Sequence, residues 1–268
     1  AGGLKAKLFK LALTLGEKKL DENNKLTFIE KLLDSVVEKL VRKKVRNTFG
    51  GRLKALVSGG APLNLDIGIF FSALGLKLLQ GYGQTEASPL ISANRPNLIK
   101  IDTVGPPVDG VELRLSEEGE ILVRGDMLMK GYWRDPATTA SVIKNGWLFT
   151  GDLGSVDEDG YVTITGRKKD IIVNSGGENI APGRVEALLA IEPEIEQAMV
   201  DGDHRPWLAG VIVPSEEVRT RAASDSELKT LITDAVDRAN MRLSQIERVR
   251  RFVIAADPFS TENSQLTP

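Results

Sequence analysis

Apolar residues between positions 25 and 45 recur at the spacing of one helix face. The stretch reads KLTFIEKLLDSVVEKLVRKKV, and its apolar positions follow the i, i+3, i+4 rule. This periodicity predicts an amphipathic helix. The apolar stripe consists of Leu26, Ile29, Leu32, Leu33, Val36, Val37 and Leu40.

A cationic group, Arg42, Lys43, Lys44 and Arg46, ends this predicted helix. Such a group can contact acidic lipid headgroups or other phosphates, which would bring the protein to a membrane surface. Cations in the last turns of a helix also complement its dipole and are usually solvated, and the sequence alone favours this second interpretation.

From Arg52 onward the pattern changes to strand, glycine turn, helix and strand. LKALVSGGAPL has an apolar run that breaks at Gly59 and Gly60, IGIFFSALG is helical, and LKLLQGYG is the next strand. This alternation predicts an α/β layer with a parallel sheet. Ligands bind beyond the carboxyl ends of parallel strands, so we expect SGGAP and QGYGQTE to line one crevice.

Short β segments follow from Val104 to about Gly166, separated by Gly, Pro and Asp turns, and DEDGY is a strong hairpin signal. Beyond them, GRKKDIIVNSGGENIAPGRVEALLA predicts a strand, a glycine turn and a helix that begins at Pro182. The last stretch predicts two strands, QAMVDG and AGVIVP, and a helix over residues 226–243.

Composition limits the kinds of ligand. The 268 residues carry 35 basic and 37 acidic side chains, so the net charge of -2 provides no overall attraction to nucleic acid. The chain has no cysteine and one histidine, His204, which excludes thiolate sites and multi-histidine metal centres. No stretch has the length of a membrane span, and the absence of cysteine is compatible with a cytoplasmic location.

The QGYGQTE loop carries several polar side chains directly after an apolar strand. Tyr82 offers an aromatic face for a base, Thr85 a hydroxyl for a phosphate oxygen, and Glu86 a carboxylate suited to Mg²⁺. An exposed helix N-terminus, with Thr85 as its cap and Glu86 in its first turn, explains the same residues equally well.

Three further motifs each have a structural and a functional interpretation. Gly59 and Gly60 allow a flat ligand to approach the backbone, although paired glycines usually form only a turn. Asp152 in TGDLG, at a strand end, can accept hydrogen bonds from two ribose hydroxyls, or it can belong to an ordinary turn. Arg167 in GRKKD can donate to ribose or phosphate oxygens, or it can form a surface ion pair.

The order of the motifs is more specific than any one of them. SGGAP, YGQTE, VGPP, GEILVRGDMLMKGYWRDPATT, WLFTGDLG, GYVTITGRKKDIIVNSGGENIAP and DPFSTEN together resemble the AMP-forming acyl-CoA synthetases, with most likeness to long-chain fatty acid CoA ligases. The resemblance covers nearly the whole chain. It implies that a fatty acid reacts with ATP to give acyl-AMP, and that CoA then displaces AMP.

The resemblance also implies roles for individual residues. Thr85 and Glu86 would be catalytic, with Glu86 holding Mg²⁺. Lys169 would be the hinge of a mobile domain, and Ser175, Gly176 and Gly177 would form a loop on the CoA side. ATP or AMP would be bound by Gly59, Gly60, Ala61, Gly81, Tyr82, Asp152 and Arg167.

The implied architecture is α/β. Residues 1–167 would be part of a large parallel-sheet domain with a β-barrel-like section, and residues 168–268 a small mobile α+β domain. The family's phosphate loop and its C-terminal catalytic lysine have no counterpart in this sequence, and the first residue is not methionine. We therefore expect a fragment of roughly the second half of the enzyme, which cannot adenylate at a normal rate by itself.

Two other functions remain open. The parent protein can be an aryl-CoA ligase, or a fatty acyl-AMP ligase that uses a carrier protein in place of CoA. A chain without the phosphate loop and the lysine can also be a non-catalytic nucleotide-binding module. The expected partners are a fatty acid, ATP and CoA, with peripheral membrane contact through the cationic group and oligomer formation through uncovered sheet edges.

Overall fold

The structure is a computed structural model that describes residues 3–21, 24–61 and 63–266. It divides the chain into two compact units. The first consists of Ala1–Thr150 and Gly154–Ile164, and the second of Gly151–Leu153 and Thr165–Pro268. The expected boundary at residue 167, which follows from the resemblance, stays a prediction.

The first unit begins with a layer of helices, and the helix expected between residues 25 and 45 is confirmed. Thr27 starts it with a capping box, in which its hydroxyl accepts from the Glu30 amide and the Glu30 carboxylate accepts from the Thr27 amide. Its second half contains a wider π-helical turn. The segments are α1 (Leu4–Leu20), α2 (Phe28–Val37), the π-helical turn (Glu38–Arg42) and α3 (Lys43–Thr48).

Most of the predicted apolar stripe does not face the interior of this unit. α2 packs on α1 through Val37, beside Val41 of the π-helical turn, and these two valines meet Ala12 and Leu15 of α1 in a small core. The other stripe residues of α2 and the π-helical turn lie on the exposed side, among them Leu32. The buried side of the helix therefore consists of fewer apolar residues than the sequence pattern indicates.

The alternation of strand and helix gives the expected parallel pair. Strands β1 and β2 are parallel, with Ser58 opposite Gln80, and the helix between them ends before Gly75, whose φ of +77° requires a residue without Cβ. A third, short strand pairs antiparallel to β2. The segments are β1 (Leu56–Ser58), α4 (Leu65–Ala73), β2 (Leu78–Tyr82) and β3 (Ser92–Ala93).

A five-stranded sheet follows, in the order β4, β5, β7, β6, with β8 beside β7. The DEDGY turn joins β7 to β8, and Gly160 has the positive φ of +82° that the Asp-Gly pair predicts. The segments are β4 (Glu112–Leu115), β5 (Glu120–Arg124), α5 (Pro136–Val142), β6 (Ile143–Lys144), β7 (Trp147–Val156) and β8 (Val162–Arg167).

The second unit combines helices with a three-stranded sheet. β11 and β12 are antiparallel, β12 and β13 are parallel, and a core of residues such as Ile212 and Ile232 lies between the sheet and α8. Pro182 is the first helical residue of α6, as predicted. The segments are β9 (Ile172–Val173), β10 (Asn179–Ile180), α6 (Pro182–Leu189), β11 (Ile195–Asp201), β12 (Leu208–Pro214), α7 (Glu216–Arg221), α8 (Asp225–Asn240) and β13 (Val249–Ile254).

Candidate functional site

The two glycine loops of the first unit emerge side by side. Because β1 and β2 are parallel and adjacent, Gly59 follows β1 next to Gly81 of β2, and a Cβ on Gly59 would lie 3.3 Å from the Gly81 carbonyl oxygen. Gly59, Gly60 and Ala61 are all exposed, and Gly60 has a φ of +87°. This strand end therefore presents open backbone, where parallel sheets place their ligands.

The QGYGQTE loop has a shape that its own chain enforces. The Ile91 amide donates to the Tyr82 carbonyl at 2.9 Å, and a Cβ on Gly83 would lie 1.7 Å from the carbonyl oxygen of Pro89. The Tyr82 ring is partly buried against the core around Ile91. Thr85 is exposed at the start of a short 3₁₀ turn. The close fit at Gly83 allows only glycine there.

The helix-capping interpretation of this loop is wrong in its details. The residue before the 3₁₀ turn is Gln84, which makes no capping hydrogen bond with its side chain, and Thr85 is the first residue of the turn. The turn has only three residues, Thr85–Ala87, so it offers little helix dipole. The hydroxyl of Thr85 is therefore not used as the cap that the sequence allowed.

Glu86 is held by hydrogen bonds from the segment after β5. The Met129 amide donates to the Glu86 carbonyl at 2.8 Å, and the Tyr132 hydroxyl donates to Glu86 Oε1 at 2.8 Å. The hydrogen bond to this carboxylate, together with burial and the charges of Glu86 and Asp135, raises the pKa of Tyr132. Tyr132 therefore stays a donor and fixes the carboxylate, while Oε2 accepts no hydrogen bond from any described residue.

A single carboxylate with one open oxygen is compatible with Mg²⁺. Mg²⁺ commonly uses one or two protein carboxylates and completes its shell with water and substrate phosphates. Within residues 3–21, 24–61 and 63–266, no three or more carboxylate, histidine or cysteine side chains form a metal-binding group. Glu86 therefore fits a metal that arrives with phosphate, and does not fit a protein-only metal centre.

Asp152 and Arg167 belong to the second unit and contact each other. Asp152 lies in the middle of β7, not at a strand end or in a turn as the sequence suggested, and it is 4% exposed. Nε of Arg167 donates to Asp152 Oδ1 at 3.0 Å, while the Arg167 side chain is 64% exposed. The Lys168 amide donates to the Gly151 carbonyl at 2.8 Å. A buried carboxylate is thus held beside an exposed guanidinium.

Lys169 and the SGGEN loop follow β8. Lys169 is exposed in the turn over residues 168–170, in which the Asp170 amide donates to the Arg167 carbonyl at 3.0 Å. Asn174 directly precedes the SGGEN loop, and its Oδ1 accepts from the amides of Gly176 at 2.9 Å and Glu178 at 3.0 Å. The side chain of this preceding asparagine therefore closes the loop.

A cavity of about 310 Å³ adjoins the SGGEN loop. The buried Nε of Arg248, on its wall, has no hydrogen-bond partner in the described part of the chain, which is unusual for a buried donor. No motif in the sequence marks Arg248 as a site residue, although it belongs to the basic run RVRR at 248–251. The lining is Asn174, Ser175, Gly176, Glu178, Pro206, Trp207, Gln245, Ile246, Arg248 and Arg250.

The structure groups the expected residues within each unit. In the first unit, Gly59 lies beside Gly81, and the chain continues directly from Tyr82 to the exposed Thr85 and the Tyr132-bound Glu86. In the second unit, Asp152 pairs with Arg167. Ser175 and Gly176 line the cavity, and Gly177 has a φ of +78° in the same loop.

Two family models match separate parts of the chain. Residues 23–133 match the family model described as AMP-binding enzyme, and residues 169–267 match the model described as AMP-binding enzyme C-terminal domain. Together these two matches cover most of the chain.

Curated relatives include fatty acid ligases. The chain is 42% identical over 249 residues to a long-chain-fatty-acid–CoA ligase of Mycobacterium tuberculosis, covering 87% of this chain and 42% of the relative. It is 32% identical over 259 residues to a chloroplastic long-chain-fatty-acid–[acyl-carrier-protein] ligase of Arabidopsis thaliana, covering 88% of this chain and 36% of the relative. The chain thus spans about two fifths of the length of these relatives.

A solved structure supports the fold. The adenylation domain of a carboxylic acid reductase from Segniliparus rugosus, in complex with AMP and a co-purified carboxylic acid, matches with a TM-score of 0.70 and 26% identity. The match covers 96% of this chain and 42% of that one. The mixed α/β class is therefore confirmed.

Proposed function

Because this chain belongs to the family of AMP-binding enzymes, we propose that the full-length protein activates a long-chain fatty acid with ATP and transfers the acyl group to CoA. In the first step, a carboxylate oxygen attacks the α-phosphorus of ATP and pyrophosphate leaves. In the second step, the CoA thiolate attacks the acyl carbonyl and AMP leaves. The similarity to the mycobacterial ligase supports this substrate class.

The observation that carries the proposal is the paired strand ends of the first unit. Gly59, Gly60 and Ala61 are exposed backbone beside Gly81, which favours a flat ligand such as adenine, and Tyr82 is proposed to stack on the base. A Cβ at Gly59 would narrow this surface, and a Cβ at Gly60 would strain the backbone. The proposed role of this loop pair is therefore to bind the base.

Thr85 and Glu86 are proposed to bind the phosphates. The exposed Thr85 hydroxyl can donate to a phosphate oxygen, and Tyr132 holds the Glu86 carboxylate so that Oε2 stays open. When Mg²⁺ is bound at Glu86, it neutralises phosphate charge. Adenylation needs little covalent help from the protein, so these residues would act by positioning the phosphates and by electrostatics.

Asp152 and Arg167 are proposed to bind the ribose. A buried carboxylate is a strong acceptor for hydroxyl donors, and the hydrogen bond from Arg167 Nε orients Asp152. The Arg167 side chain is largely exposed, and a planar guanidinium suits ribose or phosphate oxygens. The pair can therefore orient the sugar without taking part in the chemistry.

The SGGEN loop and its cavity are proposed to bind CoA. The buried Arg248 Nε needs an acceptor, and a CoA phosphate would supply one, while the small Ser175, Gly176 and Gly177 let the pantetheine arm pass close to the backbone. Lys169 is proposed as the hinge of a mobile C-terminal domain over residues 168–268, because it lies in an exposed turn directly after β8.

The nucleotide part of the proposal is tested by isothermal calorimetry with AMP. We expect the 268-residue chain to bind AMP, and we expect Asp152→Ala to abolish the binding because the ribose loses its main acceptor. Asp109→Ala removes a fully exposed carboxylate and is the matched control. Circular dichroism checks that each variant is folded. Equal binding by Asp152→Ala and the unchanged chain would contradict the ribose assignment.

A carrier-protein acceptor is the second candidate, supported by the similarity to the Arabidopsis ligase. The two acceptors are separated by calorimetry with CoA. We expect CoA to bind and Arg248→Met to weaken it roughly tenfold, since a hydrogen bond to a charged group is worth about 1.5–3 kcal/mol. Absence of CoA binding by the folded chain would favour the carrier protein.

A further inference from the structure

The short segment between α8 and β13 forms one wall of the cavity beside the SGGEN loop. Gln245, Ile246 and Arg248 of this segment line the cavity, and the buried Nε of Arg248 has no hydrogen-bond partner among the described residues. A buried donor binds a ligand best when the surrounding structure already holds it in place. The contacts that fix the chain on either side of Arg248 therefore bear on binding.

The residue after Arg248 is fixed by the last residue of α8. The Val249 amide donates to Asn240 Oδ1 at 2.9 Å, and Asn240 Nδ2 donates to the Val249 carbonyl at 2.9 Å. Val249 is also 3% exposed and belongs to the core of the second unit. The backbone on this side of Arg248 is thus tied to the end of α8.

The residue before Arg248 is a buried carboxylate. Glu247 is 7% exposed, and its Oε2 accepts from the Ser244 amide at 3.1 Å and from the Ser244 hydroxyl at 2.6 Å. Its Oε1 accepts from Arg184 Nη1 at 2.8 Å. Arg184 lies on α6 with a largely exposed side chain, and the cavity lining found among the described residues does not include it. Both carboxylate oxygens of Glu247 are thus used within the protein.

We propose that Glu247, held by Arg184, is a positioning residue for Arg248. This inference rests on the proposed CoA site and names residues that serve the same site without touching the ligand. A carboxylate that was free to move beside Arg248 would compete with a phosphate for the guanidinium, since both anions accept charge-assisted hydrogen bonds. With both of its oxygens engaged by Ser244 and Arg184, Glu247 leaves the Arg248 donor to the ligand.

Calorimetry of the 268-residue chain with CoA tests the inference. We expect Arg184→Met to weaken CoA binding by roughly three- to tenfold, because residues in one hydrogen-bond network are coupled. Glu247→Gln should change the affinity in the same direction, since an amide nitrogen cannot accept a hydrogen bond. Arg184→Lys keeps a cation for Glu247 and should restore most of the affinity. Circular dichroism checks that each variant is folded.

A second arm repeats Arg184→Met in an Arg248→Met background. If Arg184 acts through Arg248, its loss should have no further effect on CoA affinity there, whereas a general loss of structure would weaken binding equally in both backgrounds. Arg238→Met is the matched control, because Arg238 donates to Glu192 and Glu194 in the same unit, and the described cavity lining contains none of these three residues. This control should bind CoA like the unchanged chain.

Each contrary result has its own meaning. Equal CoA binding by Arg184→Met and the unchanged chain would overturn the inference and leave the CoA site in place. An equal loss in both Arg248 backgrounds would also overturn it, because Arg184 would then act on the fold and not on Arg248. Absence of CoA binding by the folded, unchanged chain would overturn the CoA assignment itself, and the inference with it.

Discussion

Replacing Arg42 by methionine removes one side chain that joins three helices. The guanidinium is 3% exposed and donates from Nη2 to the Ala12 carbonyl of α1 at 2.9 Å and from Nη1 to Asp34 of α2 at 2.6 Å. Its Nε donates to the Ala73 carbonyl of α4 at 2.7 Å. Methionine keeps the length of the side chain but leaves all three acceptors without this donor.

The expected cost follows from these contacts. Removing one partner of a buried ion pair costs about 3–5 kcal/mol, because the remaining charge is left without compensation. Here Lys19 stays 2.5 Å from Asp34 Oδ2 and offsets part of the loss. Burial raises the pKa of Asp34, but hydrogen bonds from Lys19 and Arg42 outweigh it and hold the pKa below its usual value. We expect Arg42→Met to lower the free energy of unfolding by about 3 kcal/mol.

Urea denaturation followed by tryptophan fluorescence measures this loss in the first unit. Trp133 and Trp147 lie in that unit, so a Trp207→Phe background removes the signal of the second unit. Arg46→Met is the control, since its ion pair is partly exposed and should contribute less than about 1 kcal/mol. If Arg42→Met cost no more than Arg46→Met, the argument that Arg42 joins the helices would be refuted.

Three further predictions follow from other contacts. The pKa of Asp34 is lower in the folded chain than in the unfolded chain, so its ionised carboxylate stabilises the fold above the ordinary carboxyl pKa of about 4. This stabilisation is lost as the pH falls through the folded pKa. The difference in free energy of unfolding between Arg42→Met and the unchanged chain should therefore become smaller below about pH 4 in urea titrations. Since the carboxylate of Glu86 raises the pKa of Tyr132, Glu86→Gln should move one phenolate transition to lower pH in an ultraviolet titration. Gly83→Ala should lower the thermal unfolding temperature, because the new Cβ meets a carbonyl oxygen.

The sequence predicted the elements better than their orientation. The glycine breaks and the apolar runs placed β1, α4 and β2, since strand and helix periods are local properties. The outer face of α2 was not predictable, because the helix packs through Val37 and a polar pair, Asp34 and Arg42, that a hydrophobic pattern counts as solvent-exposed. The π-helical turn has no sequence signal that distinguishes it from the flanking helix.

Sequence motifs predicted the residues of the candidate site, but they did not predict the tertiary contacts that hold those residues in place. Glycines around Asp152 suggested a strand end, yet Gly151 adopts a φ of +74° inside β7 and the strand continues. Tyr132 lies 46 residues from Glu86, so their hydrogen bond depends on tertiary structure. Arg248 belongs to a charged run, and charge alone does not indicate that one of its nitrogens is buried with no hydrogen-bond partner among the described residues.

The close contact between Gly83 and Pro89 has a consequence for the thermodynamics of binding. Because folding already orders the QGYGQTE loop, a nucleotide bound there would order few further residues. Binding would therefore cost little additional conformational entropy. Local stability and affinity are then coupled: any substitution that loosens this loop weakens binding without touching the ligand. Affinity at this proposed site should therefore fall in step with the stability of the first unit.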